Sequence, residues 1–318
     1  MKKQIIAVLF LLGALLPARA QVEQFYLEGR GSYISTFTDN HYQGRFEAEY
    51  VNMVLKGKIV PSVSYFWRQR FTLPLYNASV PLNATDQIWI QWQATSRWAF
   101  QAGKIPIFVG SFEFDDLPID LYYWNTFCNN LPQYYALGAG VWFTIQDGQK
   151  LHWQITQSPL QMGRPNRFHS ALVWMGSFTP SWETLWSVNW ADEDTHSGVT
   201  WLALGNRFTV GSLAFELDLM YRTTLGQWKP AADLSVVLKA EYTLEKWKFF
   251  AKGGADYNDT GTDPVIPTGT RYFYGGGGAE WFPLGNEDIR LHAVALMENR
   301  TKSPQILLGV TYRFRIVK

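Results

Sequence analysis

Leu213-Ala214-Phe215-Glu216-Leu217-Asp218-Leu219-Met220-Tyr221-Arg222 decides the fold. Leu213, Phe215, Leu217, Leu219 and Tyr221 fall on one parity, and Ala214, Glu216, Asp218, Met220 and Arg222 on the other. A strand sends successive side chains to opposite faces, so this segment is a strand with one apolar and one largely polar face. The pattern recurs. In 233–242, Leu234, Val236, Leu238, Ala240 and Tyr242 oppose Asp233, Ser235, Lys239 and Glu241. In 289–297, Arg290 and His292 mark the polar face. Near the end, Ile306, Leu308, Val310, Tyr312, Phe314 and Ile316 oppose Thr311, Arg313 and Arg315.

Two architectures use such strands. A sandwich packs the apolar face on a second sheet. A membrane barrel turns it to lipid and the polar face to a wet lumen. Length favours the barrel. The segments run to about 10–14 residues, whereas sandwich strands average about 5–6 and a tilted strand crossing lipid needs about 9–11. Sixteen segments are expected, near 25–38, 44–56, 58–71, 84–94, 97–110, 133–145, 150–159, 168–178, 183–191, 198–206, 211–222, 231–243, 245–257, 269–282, 287–298 and 304–317. A missed or false hairpin changes the count to fourteen or eighteen. Short connections, such as Lys56-Gly57-Lys58, Thr95-Ser96 and Gln146-Asp147-Gly148-Gln149, alternate with longer pieces at 72–83, 111–132, 160–167, 223–230 and 258–268. Short turns on one side and long loops on the other suit an even-stranded outer-membrane barrel, although 39–43 and 299–303 are short for outer loops.

The first twenty residues read as a cleaved secretory signal. Lys2 and Lys3 precede an apolar run from Ile5 to Leu16, and Ala18-Arg19-Ala20 is a small-x-small cleavage site. Twelve apolar residues do not reach the roughly 20 of a membrane helix. Residues 21–318 are then one barrel, and the bacterial outer membrane is the expected location. Without the signal, 25 basic residues face 27 acidic ones, a net charge of −2. That excludes the basic excess a nucleic-acid partner would need. Cys128 is the only cysteine, so no internal disulfide forms. No later segment reaches eighteen consecutive apolar residues, which excludes membrane helices. Yet 15 Trp, 16 Tyr and 21 Phe are present, as in a barrel with aromatic girdles.

With the strands laid out, the mature chain resembles the phosphate-selective porin O and P family, in the small form seen in Bacteroidetes. The likeness rests on Lys56-Gly57-Lys58-Ile59 leading into Ser64-Tyr65-Phe66-Trp67-Arg68-Gln69-Arg70, and on Gln101-Ala102-Gly103-Lys104 before Gly110-Ser111-Phe112-Glu113. It rests also on Gln133-Tyr134-Tyr135-Ala136-Leu137-Gly138-Ala139-Gly140 and on the closing Leu308-Gly309-Val310-Thr311-Tyr312-Arg313-Phe314. The chain departs from many barrels by ending in Val317-Lys318 rather than an aromatic residue. The resemblance implies an all-β, sixteen-stranded homotrimeric porin whose third outer loop folds into the pore. Its expected partners are outer-membrane lipid and small polar or ionic solutes, with anions such as phosphate among them. No cofactor or metal is expected. The alternatives are a plugged barrel serving as anchor or adhesin, and an outer-membrane hydrolase.

Segment 111–132 would narrow the pore. It carries more aromatics than a water-exposed loop, with Glu113, Asp115, Asp116 and Asp120 as candidates for an acidic rim. Asp also caps turns, so these carboxylates have a purely local alternative. Candidates for an opposing basic wall are Arg45, Arg68, Arg70, Lys104, Lys239, Lys248, Lys252, Arg290 and Arg313. Rings of Arg and Lys favour anions, and rings of carboxylates favour cations. Alternatively these cations pair with acids on neighbouring strands, among them Glu28, Glu47, Glu49, Glu216, Asp218 and Glu241. That pairing is the expectation for most of them. The hydrolase reading is weak, because His169 and Ser170 are adjacent in a strand and point apart.

Overall fold

The computed structural model describes residues 21–38, 41–73, 82–125, 131–161, 163–193, 198–224, 233–259, 267–300 and 302–317. The expected signal at 1–20 and Cys128 lie outside them. The strands are β1 (Gln21–Thr38), β2 (His41–Val60), β3 (Val63–Arg70), β4 (Thr85–Gln93), β5 (Trp98–Pro106), β6 (Tyr135–Gln146), β7 (Gln149–Gln157) and β8 (Phe168–Thr179). They continue as β9 (Trp182–Ala191), β10 (Val199–Val210), β11 (Leu213–Thr224), β12 (Asp233–Leu244), β13 (Trp247–Asn258), β14 (Thr270–Trp281), β15 (Ile289–Glu298) and β16 (Gln305–Val317). Each pairs antiparallel with its chain neighbours, and β1 pairs with β16 to close the barrel. Closure leaves no sheet edge, which a structure in lipid requires.

The two parities separate as their chemistry dictates. In β11, Glu216, Asp218, Met220 and Arg222 face inward and are buried, while Phe215 is exposed outward. In β16, Leu308, Val310, Tyr312, Phe314 and Ile316 are all exposed on the outer wall. Rings gather beside the short turns. Trp98 meets Phe143 at 4.5 Å, Phe178 meets Trp182 at 4.8 Å, and Trp182 meets Phe208 at 5.7 Å. Trp247 meets Trp281 at 6.1 Å. These form an aromatic girdle of the kind found where a barrel leaves lipid for water.

Several strand boundaries differ from expectation, and two of the differences shape the lumen or its wall. Lys56-Gly57-Lys58 is not a turn. It lies inside β2, and the chain reverses at Pro61-Ser62. Gly57 is there for closeness, since a Cβ would collide with the Gln21 carbonyl and the Tyr65 hydroxyl. β5 also stops at Pro106 instead of running to 110. Beyond it the chain turns into the lumen. A short helix, α1 (Phe112–Asp115), and a 3-10 turn (Pro118–Asp120) follow there.

Candidate pore constriction

Gly110 allows the inward segment to touch the wall. A Cβ at this position would meet backbone atoms of Trp186, Ser187 and Ala203. Its N–H donates to Ser187 Oγ at 2.7 Å. Phe112 then enters an inner-wall cluster with Ala171, Val173 and Leu185. The start of α1 has unsatisfied N–H groups, and Asp218 of β11 supplies the acceptor. Its carboxylate accepts the Phe112 N–H at 3.0 Å, the Glu113 N–H at 2.9 Å and the Ser111 hydroxyl at 2.7 Å.

Three of the four expected rim acids bind the wall. Glu113 is buried, pairs with Lys252 at 2.9 Å and accepts the Asn125 N–H at 2.8 Å. Burial raises the Glu113 carboxyl above its usual range, and Lys252 offsets only part of that. Asp116 pairs with Lys239 at 3.1 Å and lies 3.8 Å from Arg207. Asp120 pairs with Arg290, which also contacts Glu280 at 3.3 Å. Asp115 is different. It is exposed and makes no ion pair among the described residues. Crowding, then the neighbouring Asp116 carboxylate, raise its pKa.

The basic residues separate by parity and by partner. Lys239, Lys248, Lys252 and Arg290 face inward among acids. Lys239 reaches Glu241 at 3.0 Å and Glu216 at 3.5 Å, and Lys248 reaches Glu280 at 3.1 Å. Arg70 pairs with Asp86 at 2.9 Å, Arg313 with Glu28 at 3.4 Å and the exposed Arg45 with Glu47 at 2.9 Å. Lys104 corrects the expected basic wall. It sits in register with Ile88 and Leu137, both exposed on the outer face. Its stem follows that face and its ammonium bonds the Thr85 carbonyl at 2.6 Å, the way a lysine reaches past an apolar surface.

Four further residues take part, and of these the alternation marks Arg30 as a polar-face cation. Arg207 pairs with Glu216 at 2.6 Å and lies over the Phe112 ring at 4.1 Å. Arg30 donates to the Ile119 carbonyl at 2.9 Å and pairs with Glu49 at 2.6 Å. The Tyr122 hydroxyl donates to Glu280 at 2.5 Å, and the Tyr123 hydroxyl to the Lys252 carbonyl at 2.7 Å. The segment is therefore fastened to β1 on one side and to β9–β15 on the other. Toward β3–β5 it leaves a cavity of about 180 Å³, lined by Arg68 and Gln87 of the wall, by Asp115 and Asp116 of the loop and by Tyr134 and Tyr135. His169 and Ser170 do point apart: His169 is buried inside, and Ser170 accepts a bond from Trp153 on the outer side.

A family model described as phosphate-selective porin O and P matches residues 30–189. No curated protein matches the sequence. Among solved structures, the anion-selective porin from Comamonas acidovorans is similar at 9% identity, with a TM-score of 0.67 over 93% of this chain and 100% of that one. OmpF of Salmonella typhi, in complex with daunomycin, is similar at 9% identity, with a TM-score of 0.61 over 92% of this chain and 98% of that one. Outer-membrane expressed OmpT of Vibrio cholerae is similar at 10% identity, with a TM-score of 0.59 over 91% of this chain and 97% of that one. At these identities the likeness establishes the fold, a closed antiparallel barrel of sixteen strands.

Proposed function

The chain belongs to the phosphate-selective porin O and P family, and we propose that small polar and ionic solutes diffuse passively through its lumen past the constriction formed by 111–132. As a member of that family it is an outer-membrane channel for small solutes. The carrying observation is the wall itself: an exposed apolar exterior closed around an interior rich in Arg, Lys, Asp and Glu. A solute in such a lumen exchanges hydration for fixed charges and does not meet hydrocarbon. Passive diffusion needs no nucleophile, and none is proposed.

The constriction is asymmetric in this reading. Lys252, Lys239 and Arg290 are matched by the loop acids Glu113, Asp116 and Asp120, which leaves Asp115 as the exposed loop acid without an ion pair among the described residues. The family name therefore does not by itself make phosphate the preferred solute. Proteoliposome swelling in sugars of graded size tests the channel. Uptake that falls with solute size supports it, and vesicles that swell no faster than empty ones oppose it. We further read 1–20 as a leader removed on export and the assembly as a homotrimer. N-terminal sequencing that begins at Gln21, and the mass of the detergent-solubilised particle by light scattering, test these two points.

A further inference from the structure

The cavity between the loop and β3–β5 has opposite charges at its ends and hydrocarbon between them. At the wall end, Arg68 is 1% exposed, and none of its three guanidinium nitrogens makes a hydrogen bond. Two carboxylates stand near it, Glu28 and Asp86, each at 3.6 Å. Both are held more closely elsewhere. Arg70 takes Asp86 at 2.9 Å, while Arg313 and Asn52 take Glu28 at 3.4 and 3.2 Å. Three guanidinium groups thus share two carboxylates, and Arg68 is the one left without a well-placed acceptor. A buried guanidinium without acceptors is unfavourable, and its planar fork matches a carboxylate.

At the loop end stands Asp115, exposed and without an ion pair among the described residues. Ile107, Phe114, Leu117 and Pro118 line the space between. Phe114 stacks on Tyr134 at 5.3 Å, which gives an aromatic floor. A multiply charged inorganic anion fits this lining poorly, because Arg68 is its one cation and two carboxylates, Asp115 and the Lys239-paired Asp116, line it as well. A small molecule with a charge at each end of an apolar body matches every part.

We infer that this cavity is a transient station for zwitterionic organic solutes whose carboxylate and ammonium are separated by a short alkyl chain, as in an ω-amino acid. The solute carboxylate pairs with Arg68, its ammonium with Asp115, and the methylene chain between them lies on Phe114 and Tyr134. Because the guanidinium nitrogens are covered in the free protein, Gln87 or Tyr135, which line the same cavity, rotates aside to admit the carboxylate. Weak, brief occupancy is what a conducting site requires. This inference rests on the channel reading.

The test is single-channel recording of the full mature protein in planar bilayers, first in KCl alone and then with ε-aminocaproate, N-acetyl-ε-aminocaproate, ε-aminocaproamide or inorganic phosphate. Steps in KCl that ε-aminocaproate interrupts at about one-tenth the concentration needed for either singly charged analogue support the station. Asp115→Asn should then reduce ε-aminocaproate to the level of its N-acetyl analogue, and Arg68→Gln should reduce it to the level of the amide. If Arg68→Gln does not fold, the solute series on the unaltered protein and on Asp115→Asn decides. Equal interruption by ε-aminocaproate and its analogues overturns the station, as does stronger interruption by phosphate, while steps in KCl keep the channel. Absence of steps in KCl from folded protein overturns both.

Discussion

Asp115 and Asp116 are neighbours in the chain with opposite electrical situations. Asp116 is held between Lys239 and Arg207, whereas Asp115 is exposed, lines the cavity beside the loop and makes no ion pair among the described residues. A unit charge acting over several ångströms in wet surroundings is worth about 1 kcal/mol. Asp115→Asn should therefore shift the ion permeability ratio toward anions by roughly twofold to fivefold. The shift should be largest at low salt, where screening is weakest. Reversal potentials in a salt gradient measure it, and an unchanged potential would show that Asp115 does not meet the ion. The raised pKa of Asp115 sets the sign with pH. As pH falls, this carboxyl takes up its proton above the ordinary aspartate range, so its contribution toward cations should fade there, before ordinary carboxylates titrate. Lys104→Gln should leave the reversal potential unchanged, because Lys104 lies on the outer face with Ile88 and Leu137. Its side was not legible from the chain. Gln101-Ala102-Gly103-Lys104 contains two small residues that carry little parity, and only the register with β4 and β6 places the lysine.

The inward segment is an element without regular structure for most of its length, held by contacts distant in sequence. Asp218 gathers the first N–H groups of α1, and Lys252 neutralises Glu113 in a buried pair. Removing one partner of such a pair leaves an uncompensated charge, at a cost of about 3–5 kcal/mol. Glu113→Gln should accordingly lower the unfolding midpoint in detergent far more than Asp115→Asn does, as followed by denaturant titration. Asp218→Ala should leave the barrel folded while releasing the start of the loop. Increased open-channel noise in bilayers would register that release, and noise equal to the parent's would show that Asp218 does not hold the loop. The strands were legible because alternation is local. The docking of the loop was not, since Asp218 is 105 residues from Glu113 and Arg290 is 170 from Asp120. Aromatic residues and acids marked 111–132 as an unusual loop, but nothing in its spacing names the wall residues that receive it.

At the scale of the molecule, one physical condition organises the chain: every backbone group in lipid must find a partner within the protein. Sixteen strands closed from β1 to β16 meet it. The outward rows are apolar, and the inward rows carry charges matched largely among themselves. Strand number and order were legible from alternation and from the rhythm of short and long connections. The β2–β3 reversal was not, because Gly57 resembles a turn residue but serves a close approach inside the strand, and Pro61 supplies the turn. The central claim is that this interior conducts. The most direct measurement is the current across a planar bilayer after adding purified, folded protein in KCl. Discrete, uniform conductance steps are predicted. Folded protein that inserts yet gives no steps at any voltage would mean the loop closes the barrel, and would contradict the claim.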